Sequence, residues 1–209
     1  MTRAEGLAIE AGGPKAPRAG TPGQANGPRD EALAARAAAG DRAAFDALVA
    51  RYGARVHGLA LRTLGRPADA EDLAQEVFLK AYRHLHRYDP ERPFAPWLYR
   101  LAANLALSRA RSLLARRRRE RSLAALGEGP IAPLEAAEQA LRRRELGARP
   151  DAATLALPPR YRVAFNMKYV LGMEASDVAA HFGVGLATAK TWLYRARECL
   201  RRRLGDELP

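Results

Sequence analysis

The segment 94-FAPWLYRLAANLALSRARSLLARRRR-119 decides how the rest of the chain is read. Its large apolar residues Phe94, Trp97, Leu98, Leu101 and Leu105 recur at i, i+3, i+4 and i+7, the period of one helical face seated in a core. Arg100, Asn104 and Arg111 fall on a neighbouring stripe of the same helix, four and seven residues apart. From Arg92 to Arg121 there are nine arginines and one acid, Glu120. A helix that buries one side and turns Arg and Asn outward suits phosphates and base edges. A solvated basic face gives the same pattern.

The whole chain leans the same way. Its 209 residues carry a formal net charge of +12, which favours a polyanionic partner. The length suffices for one large or two small domains. A single cysteine, Cys199, excludes an intramolecular disulfide and a cysteine-cluster metal site, and its setting among arginines reads as packing. No apolar run has signal-peptide length or approaches eighteen residues, so the expectation is a cytoplasmic protein without membrane insertion.

Working outward, residues 1–29 are rich in Gly and Pro and read as a disordered tail. Asp30 opens a helix that Gly40 stops, Asp41 caps the next, and Gly65 ends it. Pro67 sits in the first turn of a third helix that runs to about Leu85. That helix turns Leu73, Val77, Phe78 and Ala81 inward, while Asp72, Gln75, Glu76 and Leu79 share an outer face. Acids early in a helix complement its dipole. An exposed acidic and apolar ridge on a basic protein also suits the docking of a second protein. After Arg116–Arg119 the pattern weakens, and Gly and Pro interrupt it up to Pro150.

The last sixty residues read as four helices. A short helix ending near Phe182, a Gly183-Val184-Gly185 turn and a longer basic helix form the helix-turn-helix pattern. On the last helix Leu186, Ala189, Leu193, Ala196 and Leu200 make the expected buried stripe. Lys190, Thr191, Tyr194 and Arg195 lie opposite, with Thr188 at the entrance, where Lys, Arg and Thr suit major-groove edges. Arg197, Arg201, Arg202 and Arg203 read as phosphate contacts or solvated charge. The fold expected is all-α. It comprises a tail (1–29), a first domain (30–118), a flexible linker (119–150), a second domain (151–205) and a short end (206–209).

Catalysis finds little support. His84 and His86 lie two apart, on different faces of a helix, and nothing completes a metal site. The patterns GxxxxGK[ST], GxSxG and HExxH are missing from the sequence, and Glu71 and Asp72 have no histidine at helical spacing. No catalytic residue, metal or cofactor is assigned.

Three stretches together resemble the extracytoplasmic-function sigma factors, compact members of the sigma-70 family. GDRAAFDALVARYGARV (40–56) resembles the family's opening domain-2 helix. Residues 69–111 carry D-x-x-Q-E-x-F-x-K-A-Y and F-x-x-W-L-Y-R-x-A-x-N, and residues 157–200 carry T-x-K-x-x-L-x-R-A-R. The resemblance implies a promoter-directed initiation factor. Asp72, Gln75 and Glu76 would meet the clamp helices of core RNA polymerase. Arg100 and Asn104, with Arg111 on their stripe, would meet the promoter −10 element, Asn104 capturing a flipped base. The loop from His84 to Arg92 would help set −10 specificity. Thr188, Lys190, Thr191, Tyr194, Arg195 and Arg197 would serve the −35 element. The linker would thread toward the polymerase active-site channel, and an anti-sigma factor would hold the free protein.

There are departures. Pro96 stands where many relatives have Thr or Ser, and Glu174 replaces their usual Ser or Thr cap, weakening it. Gly185 replaces a common Pro, and Trp192 a common Arg, which puts one backbone contact and the −35 preference in doubt. Trp97 reads as core rather than as a wedge against DNA. The rival readings are a dimeric helix-turn-helix regulator acting on duplex alone, a polymerase-binding protein with no DNA role, and a nucleic-acid enzyme.

Overall fold

The computed structural model describes residues 29–125 and 150–204, and among them it contains helices and no strand. Four helices, α1 (Asp30–Ala38), α2 (Arg42–Leu64), α3 (Pro67–His84) and α4 (Phe94–Ala125), form an N-terminal bundle, with a 3₁₀ turn (Leu85–Arg87) after α3. Four more, α5 (Pro150–Leu155), α6 (Pro159–Tyr169), α7 (Ala175–Phe182) and α8 (Leu186–Leu204), form a C-terminal unit. The expected tail up to 28, the linker residues 126–149 and the end from 205 lie outside the described residues.

Local chemistry sets the helix ends. Asp41 accepts a hydrogen bond from the Ala44 amide at 3.1 Å, satisfying one of the amides that a helix start leaves unpaired. Gly65 takes the left-handed conformation at φ 79°, and its N–H reaches the Leu61 carbonyl at 2.8 Å. A Cβ there would also fall 2.4 Å from Leu155 Cδ1, so that side chain would have to move aside. The α7 start is better closed than expected: Asp177 reaches back to accept from the Glu174 amide at 3.1 Å. Glu174 itself pairs with Lys168 at 2.9 Å.

The bundle core centres on an aromatic group. Tyr52 and Phe94 approach at 5.6 Å, Phe94 and Tyr88 at 5.4 Å, and Phe94 and Trp97 at 5.5 Å, all within the range of favourable ring pairs. Tyr52 is buried, and its hydroxyl donates to Asp30, which also pairs with Arg51. Burial first, then that carboxylate, keeps the Tyr52 phenol protonated well above its ordinary range. Tyr88 donates to the Arg92 carbonyl and so ties down the loop between α3 and α4. Trp97 is half-buried against this group, as a core residue would be.

Two features differ from the sequence reading. The helix begun at Phe94 does not fade at the four arginines but runs to Ala125, 32 residues in all. Its buried arc is also wider than the large residues announce, taking in Ala102, Ala103, Ala106, Leu107 and Ala110. The width has a cause: α4 packs on α2 and α3 with one side and on α6 with another. The C-terminal unit therefore rests on the bundle, with α5 and α6 also touching α2.

Candidate nucleic-acid interface

Arg100, Asn104 and Arg111 are all exposed along one stripe of α4, and Arg118, seven residues beyond Arg111, extends it. The stripe is held in place by Phe94 and Leu98, both buried on the opposite side of the same helix. Arg109 belongs to another face and lies 3.7 Å from Glu76 of α3.

On α3 the inner residues Leu73, Val77 and Ala81 are buried, while Asp72, Gln75 and Leu79 are exposed. Glu76 is partly covered and is shared by Lys80, at 3.5 Å, and Arg109. Two of the ridge's acidic or amide groups are thus available to a partner outright, and the third is already partly neutralised. The ridge is more apolar than its sequence suggested. Leu79 is 58% exposed, and next to it the exposed Tyr82 stacks edge-on to Phe45 at 4.9 Å. Tyr82 stands three residues after Leu79, a spacing that would have placed it on the same outer face.

The α7–turn–α8 unit has the geometry the spacing predicted. Gly183 sits at φ 63°, and the Val184 amide returns to the Ala179 carbonyl at 3.0 Å. Ala189, Leu193, Ala196 and Leu200 are buried. Leu186 is not: it is 45% exposed, because it occupies the first turn, before the helix meets its neighbours. Thr188, Lys190, Thr191, Tyr194, Arg195 and Arg197 are all exposed on α8, Tyr194 to 64%. The Thr191 hydroxyl donates to the Ala187 carbonyl at 2.9 Å, which leaves its methyl and an oxygen lone pair outward. Trp192 does not join this face. Its ring lies against Tyr161 at 5.8 Å and Phe182 at 5.5 Å, with the Arg160 guanidinium 5.4 Å above it. Trp192 thus braces α8 against α6 and α7. Cys199 is half-buried beside Tyr161 and Phe165, around Leu157 and Leu200.

One juxtaposition was invisible in the sequence. His181, near the end of α7, is mostly buried, and its pKa is pushed down to about 4, first by burial and then by the Arg100 charge. The recognition unit and the α4 stripe are therefore neighbours at that end. Among the described residues no group of His, Cys, Asp or Glu could hold a metal ion, and no helix is long and apolar enough to cross a membrane.

Residues 48–119 match the model of Sigma-70 region 2, and residues 151–200 match that of Sigma-70 region 4. The RNA polymerase sigma-H factor of Pseudomonas aeruginosa is 32% identical over 184 residues, covering 84% of this chain and 94% of that protein. SigW of Bacillus subtilis, an extracytoplasmic-function sigma factor, is likewise 32% identical, over 80% of this chain and 92% of its own length. The chain is an extracytoplasmic-function sigma factor. Among solved structures, CnrH in complex with the cytosolic domain of CnrY superposes with a TM-score of 0.60 at 29% identity, covering 86% of this chain and 99% of that one. The sigma factor's two matched regions coincide with the two helical units: region 2 spans most of α2 through most of α4, and region 4 spans nearly all of α5 through α8. A helix-turn-helix regulator acting alone would leave the region 2 match without a role. As an RNA polymerase sigma factor, the protein directs promoter-specific initiation of transcription.

Proposed function

We propose that this sigma factor divides its work among three exposed surfaces. The α3 ridge, Asp72, Gln75 and Glu76 with Leu79 beside them, docks on the clamp helices of core RNA polymerase. Arg100, Asn104 and Arg111 meet the −10 element, Asn104 holding an unstacked base while the arginines contact backbone phosphates. Extruding a base costs a few kcal/mol, which hydrogen bonds to its exposed edge offset. Thr188, Lys190, Thr191, Tyr194, Arg195 and Arg197 face the −35 duplex. Lys190 and Arg195 suit guanine O6 and N7, and Tyr194 and Arg197 suit the sugar-phosphate flank.

The observation that supports this reading best is the exposure of all these side chains but the partly covered Glu76, on three helices whose opposite faces are buried. The protein acts in the cytoplasm without chemistry of its own, since initiation needs positioning and not a reactive group. An anti-sigma factor holds it when idle; the similar protein CnrH is solved with the cytosolic domain of CnrY bound.

The test is co-elution with bacterial core polymerase followed by run-off transcription on sheared genomic DNA. Wild type should give discrete new starts sharing a two-part upstream motif. Gln75→Ala/Glu76→Ala should lose both co-elution and starts. Lys190→Glu/Arg195→Glu should co-elute but lose the starts. Duplex binding by the chain alone, without co-elution, would overturn the proposal.

A further inference from the structure

A groove of about 300 Å³ runs beside the C-terminal half of α4. Leu64, Leu113 and Leu114 contribute to it from the bundle, and Leu155, Leu157 and Pro158 from the C-terminal unit. The volume stands at the small end of the range for ligand pockets. Leu114 is 37% exposed, while Leu64 and Leu157 are buried, so apolar surface is left uncovered at this place.

The charged part of the lining is all of one sign. Arg117, Arg118 and Arg162 border the groove, and among the described residues no Asp or Glu does. Glu120, the acid next to this run in sequence, is taken by Arg116 at 2.7 Å. Arg162 donates through its terminal nitrogens to the carbonyls of Thr63, Leu155 and Leu157, and its Nε is buried with no partner. Hydrogen bonds to carbonyls orient a guanidinium without neutralising it. Arg117 lies close enough to add repulsion.

Three like charges gathered at one apolar groove are relieved by an anion, and guanidinium groups take the oxygens of a carboxylate in pairs. A bare inorganic anion would make no use of the leucines. A nucleotide fits poorly, because among the described residues no aromatic ring lines the groove for a base to stack on. The carbonyls of Thr63, Leu155 and Leu157, which would otherwise accept from a base edge, are already held by Arg162. An acidic head on a short aliphatic body uses both parts of the lining.

We propose that this groove is a binding site for a medium-chain aliphatic acid, its carboxylate against Arg117 and Arg118 and its chain along Leu114, Leu155 and Leu157. Arg162 adds its charge to the attraction without leaving its carbonyls.

Isothermal titration of the full chain with decanoate tests the site. Saturable one-to-one binding is expected, and from hexanoate to decanoate each added methylene should tighten it about fourfold, as burial of aliphatic carbon requires. Octanol and octyltrimethylammonium should bind at least tenfold more weakly than octanoate. Arg117→Gln/Arg118→Gln should weaken decanoate at least tenfold, and Leu114→Asn at least fivefold. These three side chains are exposed, so the unliganded fold should survive, with unchanged urea midpoints as the check. No saturable binding, equal affinity at every chain length, or an affinity that neither variant alters would overturn the site. Vesicles of phosphatidylglycerol and phosphatidylcholine separate a free acid from a membrane source. Decanoate binding in a chain that such vesicles do not capture identifies the free acid, whereas capture by vesicles without a decanoate signal would overturn the proposal.

Discussion

Replacing Arg162 with alanine should loosen the C-terminal unit far more than the bundle. The guanidinium ties three carbonyls, those of Thr63, Leu155 and Leu157, and two of these belong to the unit's own α5 and the turn after it. Hydrogen bonds from a charged donor contribute about 1.5–3 kcal/mol each in mutational series. The full sum is not lost, because burial holds the Arg162 pKa down to about 10 and Arg117 adds repulsion, so the wild-type charge already carries a cost. Water can also reach the carbonyls once the side chain is gone. A net loss of about 2–3 kcal/mol remains. The chain offers one reporter per unit, Trp97 in the bundle and Trp192 in the C-terminal unit. Urea titrations of Trp97→Phe and Trp192→Phe proteins, each with and without Arg162→Ala, separate the two. For a unit this small, m near 1 kcal/mol/M puts the Trp192 midpoint ~2 M lower. The Trp97 midpoint should move by less than half as much, since only the Thr63 carbonyl belongs to the bundle. An unmoved Trp192 midpoint would refute the assignment of Arg162 as the tie between α5 and α6.

Further outcomes follow from other contacts. Phe94→Ala removes the centre of the Tyr52, Tyr88 and Trp97 group and should cost about 3–5 kcal/mol, read from the Trp97 midpoint. His181 has a pKa near 4 in the folded chain against 6.5 ordinarily, so the unfolded chain binds the extra proton between those values. Stability is then complete above pH 6.5 and falls as pH drops toward 4. Partial exposure reduces the loss to about 1–2 kcal/mol by pH 4.5, and His181→Asn should flatten the slope. Lys190→Ala and Arg195→Ala should each weaken binding to a −35 duplex by about 1–3 kcal/mol and relax the preference for guanine at the contacted position, measured against duplexes substituted there. Equal weakening on every duplex, with the salt slope falling by about one per residue, would place the side chains on phosphates instead.

Much of this architecture was legible because its signals are local. Asp41, Gly65, Pro67 and Gly183 act within one turn of their own positions, and each stands where the spacing put it. The exposed faces of α3 and α8 were readable for the same reason, since a helix of known period sorts its own residues. What escaped depends on distant neighbours. Asn166 lies 103 residues from Thr63, and nothing near either polar side chain announces burial. The alanines of α4 carry no strong apolar signal, yet their small size is what admits a second helix. Leu186 reads as core by period but precedes the contacts that would cover it. The tether was expected from 119, because Gly127, Gly129, Pro130 and Pro133 interrupt the pattern, yet the helix runs on to Ala125. Arginine is nonetheless a good helix former, and Arg116 pairs with Glu120 at 2.7 Å, one turn on.

That uninterrupted α4 makes the helix a measuring rod. At 1.5 Å per residue, 32 residues extend about 48 Å. Arg100 and Arg118 are five whole turns apart and point the same way, about 27 Å from each other along the axis. On B-form DNA that length is about eight base pairs. On the role proposed for Asn104, the distance from an extruded base there to a phosphate met by Arg118 is fixed by residue count, like graduations on a scale. Inserting one residue after Leu113 would swing Arg117 and Arg118 through about 100°, whereas inserting four would keep their bearing and lengthen the rod by about 6 Å. On that proposal, the number of residues in one helix sets how far from the opened bases the duplex is gripped.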